Sequence, residues 1–143
     1  MHPFLNSTEV VDNGPELQAR LDRDGYLFIR GLLPAKLLEN LRMQLLKIAR
    51  DAGWVKLNES LEDGIADLQG FCVEPEPSYM EVYRSMYKLP AFHALQHHPD
   101  LIQFFQRLLG ETVLPHPRTI GRTIFPQREA YTTPPHQDFI PIQ

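Results

Sequence analysis

Apolar residues recur along this chain with two different periods, and the change from one to the other divides it. From Gly14 to Gly110 the spacing is mostly three and four, the signature of helix faces. Gly14-Pro15 opens a short helix in which Leu17 and Leu21 share a face, and Gly25 lies just past its end. Pro34 then starts a longer helix. Leu37, Leu41, Leu45, Ile48 and Ala52 form its stripe, Leu38 and Ala49 widen it, and Gly53 supplies the stop. Met80, Tyr83 and Tyr87 predict a helix over 79–87, and Pro90 opens another turn or two. Pro99 begins a last helix carrying Leu101, Ile102, Phe104, Phe105, Leu108 and Leu109, ending at Gly110.

Two segments depart from that spacing. "YLFIR", Tyr26–Arg30, is a compact β-rich run between Gly25 and Gly31. "RTIGRTIF", Arg118–Phe125, places Ile120, Arg122 and Ile124 on one face and Thr119, Gly121, Thr123 and Phe125 on the other. A ten-residue loop leads to a terminal run, "HQDFIPIQ", read as a strand. Residues 56–78 are acidic and broken by Gly64, Gly70, Pro75 and Pro77. Such a long loop suggests a mobile segment or a lid over a site. Helices first and sheet last predict an α+β domain over residues 1–143. Residues 1–13 form a loose leader, 14–110 are mainly helical, and 111–143 hold the first strands of a core.

Composition narrows the function class. The chain of 143 residues is 43% apolar and 22% charged, with a net charge of −4. No basic block offsets that charge, so a nucleic-acid partner is not expected. Cys72 is the only cysteine, which excludes an internal disulfide and points to a reducing, cytoplasmic setting. No signal-peptide pattern or membrane-spanning apolar run is present, so no membrane partner is expected.

The terminal run holds the most suggestive chemistry. Side chains two apart on a strand share a face. His136, Asp138, Ile140 and Ile142 therefore face one way, and Gln137, Phe139 and Pro141 the other. An imidazole and a carboxylate preset on one face are two of the three ligands of a non-haem iron(II) triad. A His–Asp hydrogen bond at a strand end accounts for the same pair. His93, His97 and His98 read as an exposed helix face and His116 as a loop residue. Cys72 reads as an inert thiol.

Two longer stretches add a resemblance. "LDRDGYLFIRGLLP", Leu21–Pro34, followed by a Leu-rich helix, resembles the N-terminal region of the phytanoyl-CoA dioxygenase family. "GRTIFPQREAYTTPPHQD", Gly121–Asp138, resembles that family's approach to its iron-binding His-x-Asp. The resemblance implies helices leading into a double-stranded β-helix, a jelly-roll or cupin-like core. It implies iron(II) with 2-oxoglutarate as cosubstrate and oxygen as oxidant, acting on a small organic substrate. His136 and Asp138 match the metal ligands. Gln137 matches the residue between them, which approaches the cosubstrate. Arg122, on the preceding strand, is a candidate cosubstrate contact, and Thr132 and Thr133 fall in the loop at the pocket mouth. The family takes its second metal histidine and cosubstrate arginine from later strands. The sequence stops at Gln143, so the expectation is the N-terminal part of an oxygenase, its core incomplete. The alternative is a non-catalytic remnant or helical interaction module with an exposed strand edge.

Overall fold

The computed structural model describes residues 3–126. Among them five α-helices follow in order: α1 Gly14–Asp24, α2 Ala35–Asp51, α3 Pro77–Tyr87, α4 Pro90–Ala94 and α5 Pro99–Leu109. Short 3-10 turns lie at Thr8–Val10, Leu61–Asp63, Leu68–Gly70 and Leu95–His97. The chain divides into two compact units. Among the described residues, one comprises 3–44 and 87–119, the other 45–86 and 120–126.

Among the described residues the expected α+β architecture does not form. Helix dominates and the described residues contain no sheet, so helices leading into jelly-roll strands are a misreading of this chain. Among the described residues only two isolated β-bridges occur, Asn6 with Phe28 and Val55 with Ala66. The cause lies in what alternation reports. A period of two shows which side chains face a core, whereas a sheet also needs a second chain segment in register. At 26–30 that partner is a single residue of the leader.

In the first unit, α1 packs on α5. Asn13 Oδ1 accepts the Glu16 N–H at 3.2 Å, satisfying one free donor at the start of α1. Gly25 closes the helix at φ 75°, a left-handed conformation that favours glycine. Gly14 is required for a different reason, because a Cβ there would collide with the Arg107 carbonyl oxygen of α5. This close approach buries Leu17 completely, beside Phe104 and Leu108. Leu27 and Ile29 pack against the same cluster. Six apolar residues on an eleven-residue helix exceed one face, so Phe105 and Leu109 of α5 stay exposed.

The leader is tied to this unit. The Ser7 N–H donates to the Phe28 carbonyl at 2.9 Å, and the Arg30 N–H donates to Thr8 Oγ1 at 2.8 Å. Arg20 donates to Glu9 and Glu16 at 2.7 and 2.9 Å. These contacts hold both carboxylate and guanidinium in their charged forms, Glu9 below its usual pKa and Arg20 above.

The second unit has an aromatic core. Trp54 stacks on Tyr79 at 5.5 Å between ring centres and meets Phe125 edge-on at 5.4 Å. Ala49, Val55, Cys72 and Val82 complete the cluster. Within the predicted α2 stripe, Ala49 is buried and Ile48 packs on the core, while Ala52 turns out to solvent. The long acidic loop is pinned by backbone. The Lys56 N–H donates to the Ile65 carbonyl, and the Asp67 N–H donates to that of Trp54. Gly70 sits where a Cβ would strike the Gly53 carbonyl oxygen, so the loop closes directly onto the chain leaving α2.

Candidate functional site

The described part of the candidate site lies on residues 120–126, in the second unit. The predicted face pattern holds there. Ile120, Arg122 and Ile124 are exposed, while Phe125 is 5% exposed and packs under Trp54 and Phe71. A helix, not a strand, supplies the polar partner. Tyr79 on α3, buried to 2%, donates its hydroxyl hydrogen to the Thr123 carbonyl. The Tyr79 hydroxyl oxygen in turn accepts the Thr123 N–H, both bonds being 3.2 Å. One side chain thus satisfies the two backbone groups a neighbouring strand would pair.

Arg122 projects on the other side of this fixed point. Its Nε lies 3.8 Å from the Glu74 carboxylate, with both side chains partly exposed. Beneath them is a cavity of about 10 Å³ lined by Phe71, Cys72, Tyr79 and Phe125. That volume holds roughly one water molecule. With Glu74 in place a dicarboxylate such as 2-oxoglutarate does not fit there. Cys72 is 5% exposed, and burial pushes its thiol above the usual pKa. A hydrogen bond with Ser78 works the other way, and the Glu76 charge raises it further. The thiol is therefore protonated at neutral pH, which suits packing rather than nucleophilic attack.

The helical histidines are engaged locally. His93 Nε2 donates to the Tyr87 carbonyl at 2.6 Å, and its ring meets that of Phe92 edge-on. His97 Nε2 lies 3.3 Å from the Gln96 amide nitrogen. His98 Nδ1 accepts the Asp100 N–H and so caps α5. His116 Nδ1 accepts the Arg118 N–H at 3.1 Å within its own loop. Among the described residues no three His, Cys, Asp or Glu side chains gather as a metal site. His136, Gln137 and Asp138, with Thr132 and Thr133, lie outside the described residues.

Glu74 and Tyr79 were not singled out by the sequence. Glu74 is one acid among many in an acidic stretch, and no local signal marks its pairing with Arg122. Tyr79 begins a helical pattern and carries no sign that its hydroxyl serves a segment 44 residues away. No protein-family model, curated protein or solved structure matches this chain. No helix among the described residues is long and apolar enough to cross a membrane.

Proposed function

We propose that this chain belongs to an iron(II)- and 2-oxoglutarate-dependent oxygenase that hydroxylates a small organic substrate. The observation that carries the proposal is His136-x-Asp138 at the end of the stretch 121–138, whose sequence resembles the approach to an oxygenase iron site. An imidazole nitrogen and a carboxylate oxygen are donor types suited to iron(II). In this proposal His136 and Asp138 hold the metal, and Gln137 is the candidate cosubstrate contact that the resemblance implies. When bound, the metal supplies the oxygen chemistry that no protein side chain can perform. Residues 120–126 contribute rigidity: Tyr79 fixes the backbone at Thr123, and Phe125 anchors it in the aromatic core. No step is assigned to Arg122, because its guanidinium is met by Glu74. A cytoplasmic setting belongs to the same proposal, resting on a single, buried cysteine.

Anaerobic iron(II) binding tests the reading. The chain is expected to hold iron, and His136→Ala and Asp138→Ala are each expected to lose it. A wild-type chain that binds no iron while Trp54 emission shows it folded would remove this activity from the chain as given. A second reading is a non-catalytic helical module, favoured by the helical, sheet-free architecture of the described residues. Iron binding that is indifferent to His136 and Asp138 would support it.

A further inference from the structure

We propose that the groove between α5 and residues 113–119 is a binding site for a small apolar anion, whose body lies on Leu101, Phe105 and Leu109 and whose charge meets Arg118. The groove is built wholly from the first unit.

α5 carries more apolar surface than its core contact covers. Phe104 and Leu108 turn to Leu17, while Leu101, Phe105 and Leu109, spaced by one helical turn each, form a second ridge. Phe105 is 41% exposed, Leu109 53%, and Leu114 on the other lining segment 89%. Contiguous apolar surface of this kind marks a ligand or partner site, unlike single exposed side chains. The groove has a volume of about 430 Å³, within the range of small-molecule pockets, about 300–1,000 Å³.

The walls are set without a ligand. Gly110 ends α5 in the left-handed conformation, at φ 72°. At the far end of the segment Thr119 Oγ1 donates to Gln96 Oε1 at 2.6 Å, and the Tyr87 hydroxyl donates to the Thr119 carbonyl. Pro115 and Pro117 fix the φ angles at two positions between. The polar groups lining the groove are not equally engaged. Gln96 and Thr119 hold each other, and His116 Nδ1 accepts the Arg118 N–H, which places the neutral ring's proton on Nε2. Arg118 is exposed, and its guanidinium forms no hydrogen bond or ion pair among the described residues. A guanidinium and an imidazole N–H beside an apolar groove fit a ligand that is apolar over most of its length and negative at one end. A cationic ligand would be repelled there, and a neutral one would leave the guanidinium unused.

Fluorescence titration of the full chain with two probes tests this: anilinonaphthalene sulfonate, an apolar anion, and phenylnaphthylamine, the same rings without charge. Wild type should bind both, the anion more tightly. Arg118→Gln should weaken the anion about three- to fivefold and leave the neutral probe unchanged. Leu109→Ser, at an exposed position, should weaken both probes about fivefold. Helical circular dichroism checks that each variant is folded. No binding of the sulfonate, an equal loss of both probes in Arg118→Gln, or binding indifferent to Leu109→Ser would overturn the proposal. A wild-type dimer in sedimentation that becomes a monomer in Leu109→Ser would also overturn it, assigning the face to a second copy of the chain.

Discussion

The two compact units bury their cores by different routes. In the first, Leu17 of α1 meets Phe104 and Leu108 of α5, so helix faces supply the buried centre, with Leu27 and Ile29 packed against it. In the second, Trp54, Tyr79 and Phe125 come from a helix exit, a helix start and a segment without regular structure. The first core follows from periodicity, and its helices are closed by signals a few residues away. The second depends on contacts between positions tens of residues apart, and on a tyrosine hydroxyl replacing a strand partner. Local pattern therefore predicts the first unit far better than the second.

The largest expected effect breaks the comparison at its centres. Trp54→Ala removes the ring shared by two aromatic contacts and should cost about 4 kcal/mol, and Leu17→Ala about 3 kcal/mol, in urea unfolding followed by circular dichroism. Amide exchange then sharpens the result. Leu17→Ala should speed exchange mainly in α1 and α5, and Trp54→Ala mainly in α3 and at Lys56 and Asp67. Uniform acceleration from either change would mean that both cores open as one cooperative body, against the distinction drawn here.

A smaller effect isolates the tyrosine. Tyr79→Phe keeps the ring on Trp54 but leaves the Thr123 N–H and carbonyl without their partner, and should cost about 1.5 kcal/mol. A loss within error would mean that water replaces the hydroxyl. The smallest effect is the pH dependence of Cys72. Its folded-state pKa is raised by burial, so the folded chain retains a proton that the unfolded chain releases. Its contribution to stability is present below the ordinary thiol pKa of about 8.5 and is lost as pH rises toward the folded value. Cys72→Ser should flatten that decline. Alkylation of the folded wild type at pH 8 should also be slower than that of the urea-unfolded chain.

Helix ends were the most legible feature, because their causes are local. Gly14-Pro15 and Gly25 bracket α1, Pro34 and Gly53 flank α2, and Pro99 and Gly110 bracket α5. The alternation over residues 120–125 was legible for the same reason, since it needs only the chain itself, but which of the two faces turns inward was not. The absence of a sheet from the described residues was not. Leu27 and Ile29 turn to a core as a strand would, yet Phe28 finds only Asn6 to bridge. The acidic loop hid its order as well, because backbone bonds such as Asp67 to Trp54 leave little mark on composition.

The sequence by itself determined where helices begin and end, which faces carry apolar side chains, and that His136 and Asp138 stand two apart. Tertiary structure alone decided what the alternating segments pair with, that Tyr79 serves Thr123, and that Glu74 stands at Arg122. The physical reason is range. Caps, turns and periodicity act over a few residues, whereas partners for backbone groups and charges are chosen by contacts that form only when distant segments have already met.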